Sequence, residues 1–393
     1  MIYLDNSATT RVNDEVAQLV ASCMVEDYGN PSSMHHMGVV AQGRVRDAAE
    51  QIAGTLRCKR SEVLFTSGGT ESDTQAIRGV AHTYSRKGRH LITTAIEHPA
   101  VLRTMQALER EGYEVTYLPV DGDGIVDPET FREALRDDTI LASVMAVNNE
   151  IGAIEPLSEL SAALHDRCQE ALFHTDAVQG YGKLPLQPRR LGVDLMSVSG
   201  HKLHGPKGVG FLYVRDGIRL EPVFYGGGQQ GGLRSGTENV PGIAGMGLAS
   251  DLAYRELTED MERLYGLRAD FIRRVTASIP DVRINGPAQG GTDEPLSERR
   301  VAPHIISLSV EGVRAEVLLH ALEEKGIYVS AGSACASNAP HVSETLLAIG
   351  LPEELLSSTI RISMSTYTTV EELTETAQAL EELVPMLRRF TRR

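Results

Sequence analysis

Short runs of aliphatic and β-branched residues recur along the first half of the chain, and longer helix-period segments separate them. EVLFTS (62–67), RHLITTAI (89–96), YEVTYLPV (113–120), TILASVMAV (139–147), ALFHTD (171–176) and VDLMSVS (193–199) each predict a strand. AVLRTMQALEREG and LSELSAALHDRCQE are helical stretches between them. Strands alternating with helices predict βαβ units and a mostly parallel sheet. Right-handed crossovers then place helices on both of its faces. After about residue 255 the pattern changes. A long helical segment, LTEDMERLYGLRADFIRRVTASI, precedes a polar loop at 285–300, and then come HIISLSV, the helix AEVLLHALEEKG, TIRISMS and a last helix. This second set predicts a smaller α/β domain.

Composition narrows the picture. A chain of 393 residues is long enough for two domains. Its net charge of −15 disfavours a general nucleic-acid binder, which needs a basic surface. The terminal LRRFTRR reads as a solvated helix end. The opening MIYLDNSATT has no basic n-region, and no apolar run approaches the ~18 residues of a membrane span. Four scattered cysteines, Cys23, Cys58, Cys168 and Cys335, with no CxxC pair, suggest neither a disulfide framework nor a zinc ribbon. The expectation is a reducing cytoplasm, with no membrane, nucleic-acid or metal role.

Four stretches carry candidate chemistry. In FTSGGTESD (65–73) a strand ends, the chain turns on Gly68 and Gly69, and a helix begins near Thr70. Helix N-termini suit phosphate, although a turn with Thr70 as a plain cap accounts for the same residues. In HTDAVQG (174–180), Asp176 lies just past an apolar strand, where open α/β sheets bind ligands. It suits a cationic ring nitrogen, or simply the capping of the next turn. In SGHKLHGPKGVG (199–210), Lys202 lies in a crowded strand-end loop, where partial desolvation makes an amine nucleophilic. A lysine, a phosphate cradle and a carboxylate gathered at one sheet edge are the set that Schiff-base cofactor chemistry requires. Fourth, Cys335 in AGSACASNAP sits among the smallest side chains, which gives a thiol the access it needs to act as a nucleophile. Cys23 and Cys168 read instead as small core residues. His98 and His201 are candidates for ring stacking or proton transfer. His201 and His204 lack a metal-site spacing. Arg361 in TIRIS can clamp a carboxylate with two parallel hydrogen bonds, or form a surface salt bridge.

With these stretches in view, the sequence resembles the cysteine desulfurases, pyridoxal-phosphate enzymes of the class V aminotransferase group. The likeness runs through YLDNSATT (3–10), GNPSS (29–33), TSGGTESD (66–73), EHPAV (97–101), VNNEIG (147–152), HTDAVQ (174–179), SGHKLHGPKGVG (199–210), GGGQQGGLRSGTENV (226–240) and GSAC (332–335). It implies a fold type I architecture, in which a mostly parallel seven-stranded sheet forms a large cofactor domain over residues 15–255. Residues 256–393 then form the small α/β domain, which residues 1–14 join. By the same resemblance Lys202 holds pyridoxal 5′-phosphate covalently. Thr70, Ser199 and His201 bind its phosphate with the Gly69–Thr70 backbone. Asp176 pairs with the pyridinium nitrogen, Asn149 and Gln179 contact the ring hydroxyl, and His98 stacks on the ring. Thr237 reaches the phosphate of a second subunit, which implies a homodimer. Arg361, with Asn149, holds the substrate L-cysteine, and Cys335 accepts its sulfur for delivery to an acceptor protein, a scaffold or a sulfurtransferase. Iron–sulfur cluster assembly and tRNA thiolation are the two destinations weighed. The alternatives are a selenocysteine lyase or another class V enzyme, or an inactive docking platform. Two departures stand out: Thr74 follows ESD where family members often have Asn, and Pro340 is displaced in the stretch after Cys335.

Overall fold

The computed structural model describes residues 1–287, 299–331 and 343–391. In chain order its strands are β1 (Ile2–Tyr3), β2 (Val63–Thr66), β3 (His90–Thr94), β4 (Glu114–Leu118), β5 (Thr139–Ser143), β6 (Leu172–Asp176), β7 (Leu195–Ser199), β8 (Gly210–Val214), β9 (Val282–Asn285), β10 (Ile305–Val310), β11 (Ile327–Tyr328), β12 (Ser330–Ala331) and β13 (Thr359–Ser363). One sheet has seven strands in the order β2-β8-β7-β6-β5-β3-β4. From β7 to β4 every pairing is parallel, and β8 is antiparallel to both of its neighbours. This is the α/β, mostly parallel seven-stranded architecture that the sequence implies.

All six strands read from the apolar runs are present, each trimmed at its ends. The longest reading, 139–147, stops at Ser143. Sequence reading passed over β8, because FLYV emerges directly from the Gly/Pro-rich lysine loop. That strand matters, because it lies between β2 and β7 and sets Thr66 and Ser199 on either side of Gly210. A Cβ on Gly210 would come within 2.3 Å of the Val198 carbonyl and 2.8 Å of Gly68 Cα. Only glycine lets the two strand ends approach so closely.

The helix Gly69–Tyr84 crosses the sheet on an apolar face of Ala76, Ile77, Val80 and Ala81, packed with Leu64, Leu91, Leu141, Leu195 and Leu212. Each large aliphatic side chain buried there contributes about 1.5–3 kcal/mol. The packing fixes where the helix begins, and so where its first amides point.

A second sheet, β12-β13-β10-β9, is antiparallel throughout. The helices Leu257–Ser278, Ala315–Glu324 and Val370–Thr391 pack about it. The chain's beginning is sewn into this region, because β1 pairs in parallel with β11, and Ile2 and Leu4 join Phe271, Ile306, Leu308 and Ile360 in one core. Among the described residues, no helix is long and apolar enough to cross a membrane.

Candidate active site

β2, β3, β6 and β7 all end at one edge of the large sheet, and Thr70, His98, Asp176, Gln179, Ser199, His201 and Lys202 lie at or just past those ends. After Ser199 a single 3₁₀ turn, Gly200–Lys202, folds back, and the Gly200 amide donates to the Val209 carbonyl at 3.0 Å. A side chain at Gly200 would meet Met246 Sδ at 2.9 Å, which accounts for that glycine. Lys202 Nζ donates to the carbonyls of Ser7 (2.5 Å) and Ala8 (2.9 Å). Thr10 binds the His201 carbonyl through both its amide (2.9 Å) and its hydroxyl (3.0 Å). The N-terminal segment is therefore laid directly across the lysine turn.

Asp176, the last residue of β6, stands opposite Ser197 of β7 and is buried. Its Oδ1 accepts the Val178 amide at 2.9 Å. Burial pushes its carboxyl up, and the charges of His98 and Lys202 draw it back. Asp73, one turn into the Gly69–Tyr84 helix, places a carboxylate oxygen within 4.8 Å of ligand atoms of both Asp176 and His98. Its carboxyl lies well above the usual range, first through burial and then through the neighbouring Asp176 charge. Two buried carboxyls this close favour a cation between or beside them. A protonated pyridine nitrogen is such a cation, so this corner fits pyridoxal phosphate.

His98 caps the helix Pro99–Arg110, its Nδ1 accepting the Ala100 amide at 3.1 Å. That bond leaves the neutral ring's proton on Nε2. Burial lowers its affinity for a second proton, with the Lys202 charge adding to the effect against the pull of Asp176. Gln179 Nε2 donates to the Ser7 carbonyl at 2.9 Å, while its buried Oε1 has no partner among the described residues. A ring hydroxyl would supply the missing donor.

Near the start of the Gly69–Tyr84 helix lies a groove of about 470 Å³, which Gly69, Thr70, Ser199 and His201 help to line. Gly68 caps the helix at φ +148° with no side-chain bond, so the expectation of Thr70 as the cap is corrected: Thr70 lies inside the first turn and is exposed. The positive φ at Gly68 is the reason, because it turns the chain without needing a side-chain acceptor. The first amides therefore meet an uncapped groove, as phosphate binding requires. Ser199 is buried, and His201 is pushed down to about 4 by burial and then by the nearby lysines, so it is neutral. Thr74, the first departure, turns its hydroxyl back to the Thr70 carbonyl at 2.8 Å.

Arg361 lies in β13 and is 4% exposed. It donates from Nη1 to the Asn149 carbonyl and from Nη2 to Asp5 Oδ1, both at 2.9 Å. In place of the surface salt bridge considered for it, a buried guanidinium pairs with the partly exposed Asp5, because β13 is covered on both faces. Its Nε has no partner among the described residues. Asn148 shapes the turn beside it by accepting the Glu150 and Ile151 amides at 2.9 and 3.0 Å, and so presents Asn149. Thr237 is exposed in the segment before the helix Val240–Arg255 and does not line this chain's own groove.

Cys335 lies outside the described residues. The residues that flank its segment are both held at the site. Ser330 and Ala331 of β12 pair with Arg361 and Ile360, and Ser343 donates to Glu150 Oε2 at 2.5 Å. The other thiols are disfavoured as nucleophiles. Burial raises Cys23 and Cys168, and pushes Cys58 up to about 12. Cys168 falls just past the helix Leu157–Arg167 rather than inside it. Sequence reading gave no role to Asp5, Asp73, Glu150 or the Ser7 carbonyl. Helical phase could have found Asp73, four residues beyond Gly69; the other three depend on long-range packing.

Residues 2–375 match the Aminotransferase class-V family. The chain is 46% identical over 387 residues to "Cysteine desulfurase IscS" of Dictyoglomus turgidum, covering 98% of this chain and 95% of that one. It is 42% identical to the protein of the same name from Methanosarcina thermophila, covering 99% and 93%. Among solved structures it resembles a "NIFS-LIKE PROTEIN" with a TM-score of 0.90 at 38% identity, covering 98% of this chain and all of the other.

Proposed function

Since the chain belongs to the class-V aminotransferase family, and within it to the cysteine desulfurases, we propose that it converts L-cysteine to L-alanine and takes the sulfur as a persulfide on Cys335. The observation that carries this reading is spatial. The strand leading into the Cys335 segment pairs with Arg361, and the residue following that segment bonds Glu150, next to Asn149. Both anchors of that segment thus adjoin the proposed carboxylate clamp, which supports Cys335 as the acceptor.

The cofactor supplies an electron sink for the substrate's α-carbon. Lys202 would hold it, with Asp176 at the ring nitrogen and Gln179 at the ring hydroxyl. Gly69, Thr70, Ser199 and His201 would surround its phosphate, and Thr237 would contact the phosphate of a second subunit. His98 would lie against the ring. Arg361 orients the substrate carboxylate, with Asn149 beside it. The Lys202 amine removes the proton from the substrate Cα. The Cys335 thiolate then attacks the substrate sulfur: an S–S bond forms, the substrate C–S bond breaks, and its electron pair passes to Cβ, which takes up a proton. The sum is L-cysteine plus enzyme thiol giving L-alanine plus enzyme persulfide, with no outside oxidant.

The finer reading is a homodimer in the cytoplasm that passes sulfur to a scaffold or sulfurtransferase, for iron–sulfur assembly or tRNA thiolation. The exposed apolar side chains Met24, Val25, Tyr28 and Met34, close together in sequence, and Phe224 and Tyr225 support an interface that a second subunit covers. Measuring sulfide and alanine from cysteine, with and without reductant, tests the main reading. A selenocysteine lyase would give little product from cysteine, and an inactive platform would give none.

Arg361→Ala is expected to raise the Michaelis constant for cysteine by roughly ten- to a hundredfold, since a charged hydrogen-bonded pair is worth about 1.5–3 kcal/mol. Cofactor content should not change. An unaltered constant would remove Arg361 from substrate binding. The variant also releases Asp5, so its melting temperature should be measured alongside.

A further inference from the structure

A second cavity, of about 220 Å³, lies between the lysine turn and the helix Leu257–Ser278. It shares no lining residue with the groove at Gly69 and Thr70. Lys202 borders it, but two other residues give it its character. Lys183 lines it, and its buried Nζ has no hydrogen-bond partner among the described residues. His304 also lines it, is 1% exposed, and has no partner at either ring nitrogen among the described residues. Unpaired buried polar groups of this kind are costly, and native proteins keep few of them without a ligand or ordered water.

The surroundings select the ligand's chemistry. Lys183 is drawn down to about 7 by burial, and the charge of Lys202 opposes its own. Burial first, and then the charges of Lys183, Arg361 and Lys202, push the proton affinity of His304 well down, so its ring is neutral. This end of the cavity thus offers the Lys183 amine and one N–H of the neutral His304 ring as unpaired donors, with the Lys202 charge beside them. Glu256 and Asp260 also line the cavity, with Arg255 beside them, and Asp260 lies 3.9 Å from Arg263. The remaining wall includes Leu252, Leu257, Met261 and Met364. The volume is enough for several water-sized groups, at ~30 Å³ each.

We propose that this cavity is a binding site for a small monoanion, a halide or a short-chain carboxylate, whose charge is held by Lys183 and His304 while any apolar tail lies against the leucine and methionine wall. Apart from Lys202, none of its lining residues is one assigned above to the cofactor or the substrate, and the inference does not depend on the desulfurase reading. Because Lys202 borders it, an anion there would favour the protonated form of that amine, which couples occupancy to the reactive lysine.

Crystals of the full-length holoenzyme soaked in sodium bromide should give an anomalous peak within hydrogen-bonding distance of Lys183 Nζ, and crystals soaked in sodium butyrate should show a carboxylate there. Bromide alone identifies a halide site, butyrate alone a carboxylate site, and both a general monoanion site. In solution, the same salts at matched ionic strength should raise the melting temperature. Lys183→Met should weaken the response by roughly tenfold or more, the usual effect of losing a charged hydrogen bond. His304→Leu is the second variant should the first not fold. Only water in the cavity, a response unchanged in both variants, or a crystal peak with no solution response (binding at crystal concentration only) would each overturn the proposal.

Discussion

Cys335→Ser is expected to keep its cofactor and lose sulfur transfer altogether. Serine matches the size of the side chain but has no soft thiolate to attack sulfur. Proton removal at the substrate Cα belongs to Lys202, so addition of cysteine should still change the cofactor's absorbance. Alanine should fall to background and no protein-bound persulfide should form. In the wild type, mass spectrometry after brief exposure to cysteine should find about one added sulfur per chain, as one nucleophilic thiol per site gives. It should map to AGSACASNAP. The internal control is provided by Cys23, Cys58 and Cys168, whose thiols burial holds in the protonated form. Replacing any of them should leave turnover near wild type. Alanine made by Cys335→Ser at the wild-type rate, or a persulfide on one of the other three, would overturn the mechanism.

Lys202→Ala should be the other near-complete loss. It removes both the covalent anchor of the cofactor and the base at Cα. Turnover should fall by at least ~10²–10⁴-fold, the worth of a positioned proton-transfer group. The groove at Gly69, Thr70, Ser199 and His201 is built without the lysine side chain, so the fold should persist and the phosphate contacts with it. Wild-type protein should be yellow, and borohydride reduction should fix the cofactor to the peptide containing SGHKLHG. A reduced label on any other lysine would refute the assignment.

The legible parts of the molecule were those dictated by local pattern. Each apolar run before residue 200 became a strand of the large sheet; in β3, β5, β6 and β7 burial on both faces demands continuous hydrophobic sequence, while the edge strand β4 is only partly buried. Asp176 and Lys202 could be placed at strand ends because their strands could be read. Their chemistry was legible only jointly, since each alone has a plain structural explanation. What escaped was non-local. The antiparallel β8 was hidden by the glycines before it. The pairing of Asp5 with Arg361 joins residues at opposite ends of the chain, and no periodicity reports it. The coupling of Asp73 to Asp176 depends on how a helix is set down on a sheet. Lys183 and His304 look like an ordinary lysine and an ordinary core histidine until the cavity they share is seen.

The antiparallel strand has a consequence for the lysine turn. Because Ser199 pairs with Gly210, residues 200–209 form a closed loop whose two ends are tied inside the central sheet. In polymer terms its closure entropy is settled when the sheet forms, and little remains for cofactor binding to contribute. The Gly200 and Gly205 amides bond within the loop itself, to Val209 and Gly200, so it cannot open by peeling from one end. Detaching it requires breaking the seven-stranded sheet at β7–β8. The reactive lysine therefore rides on the same cooperative unit as the core, and its position is as stable as the domain that carries it.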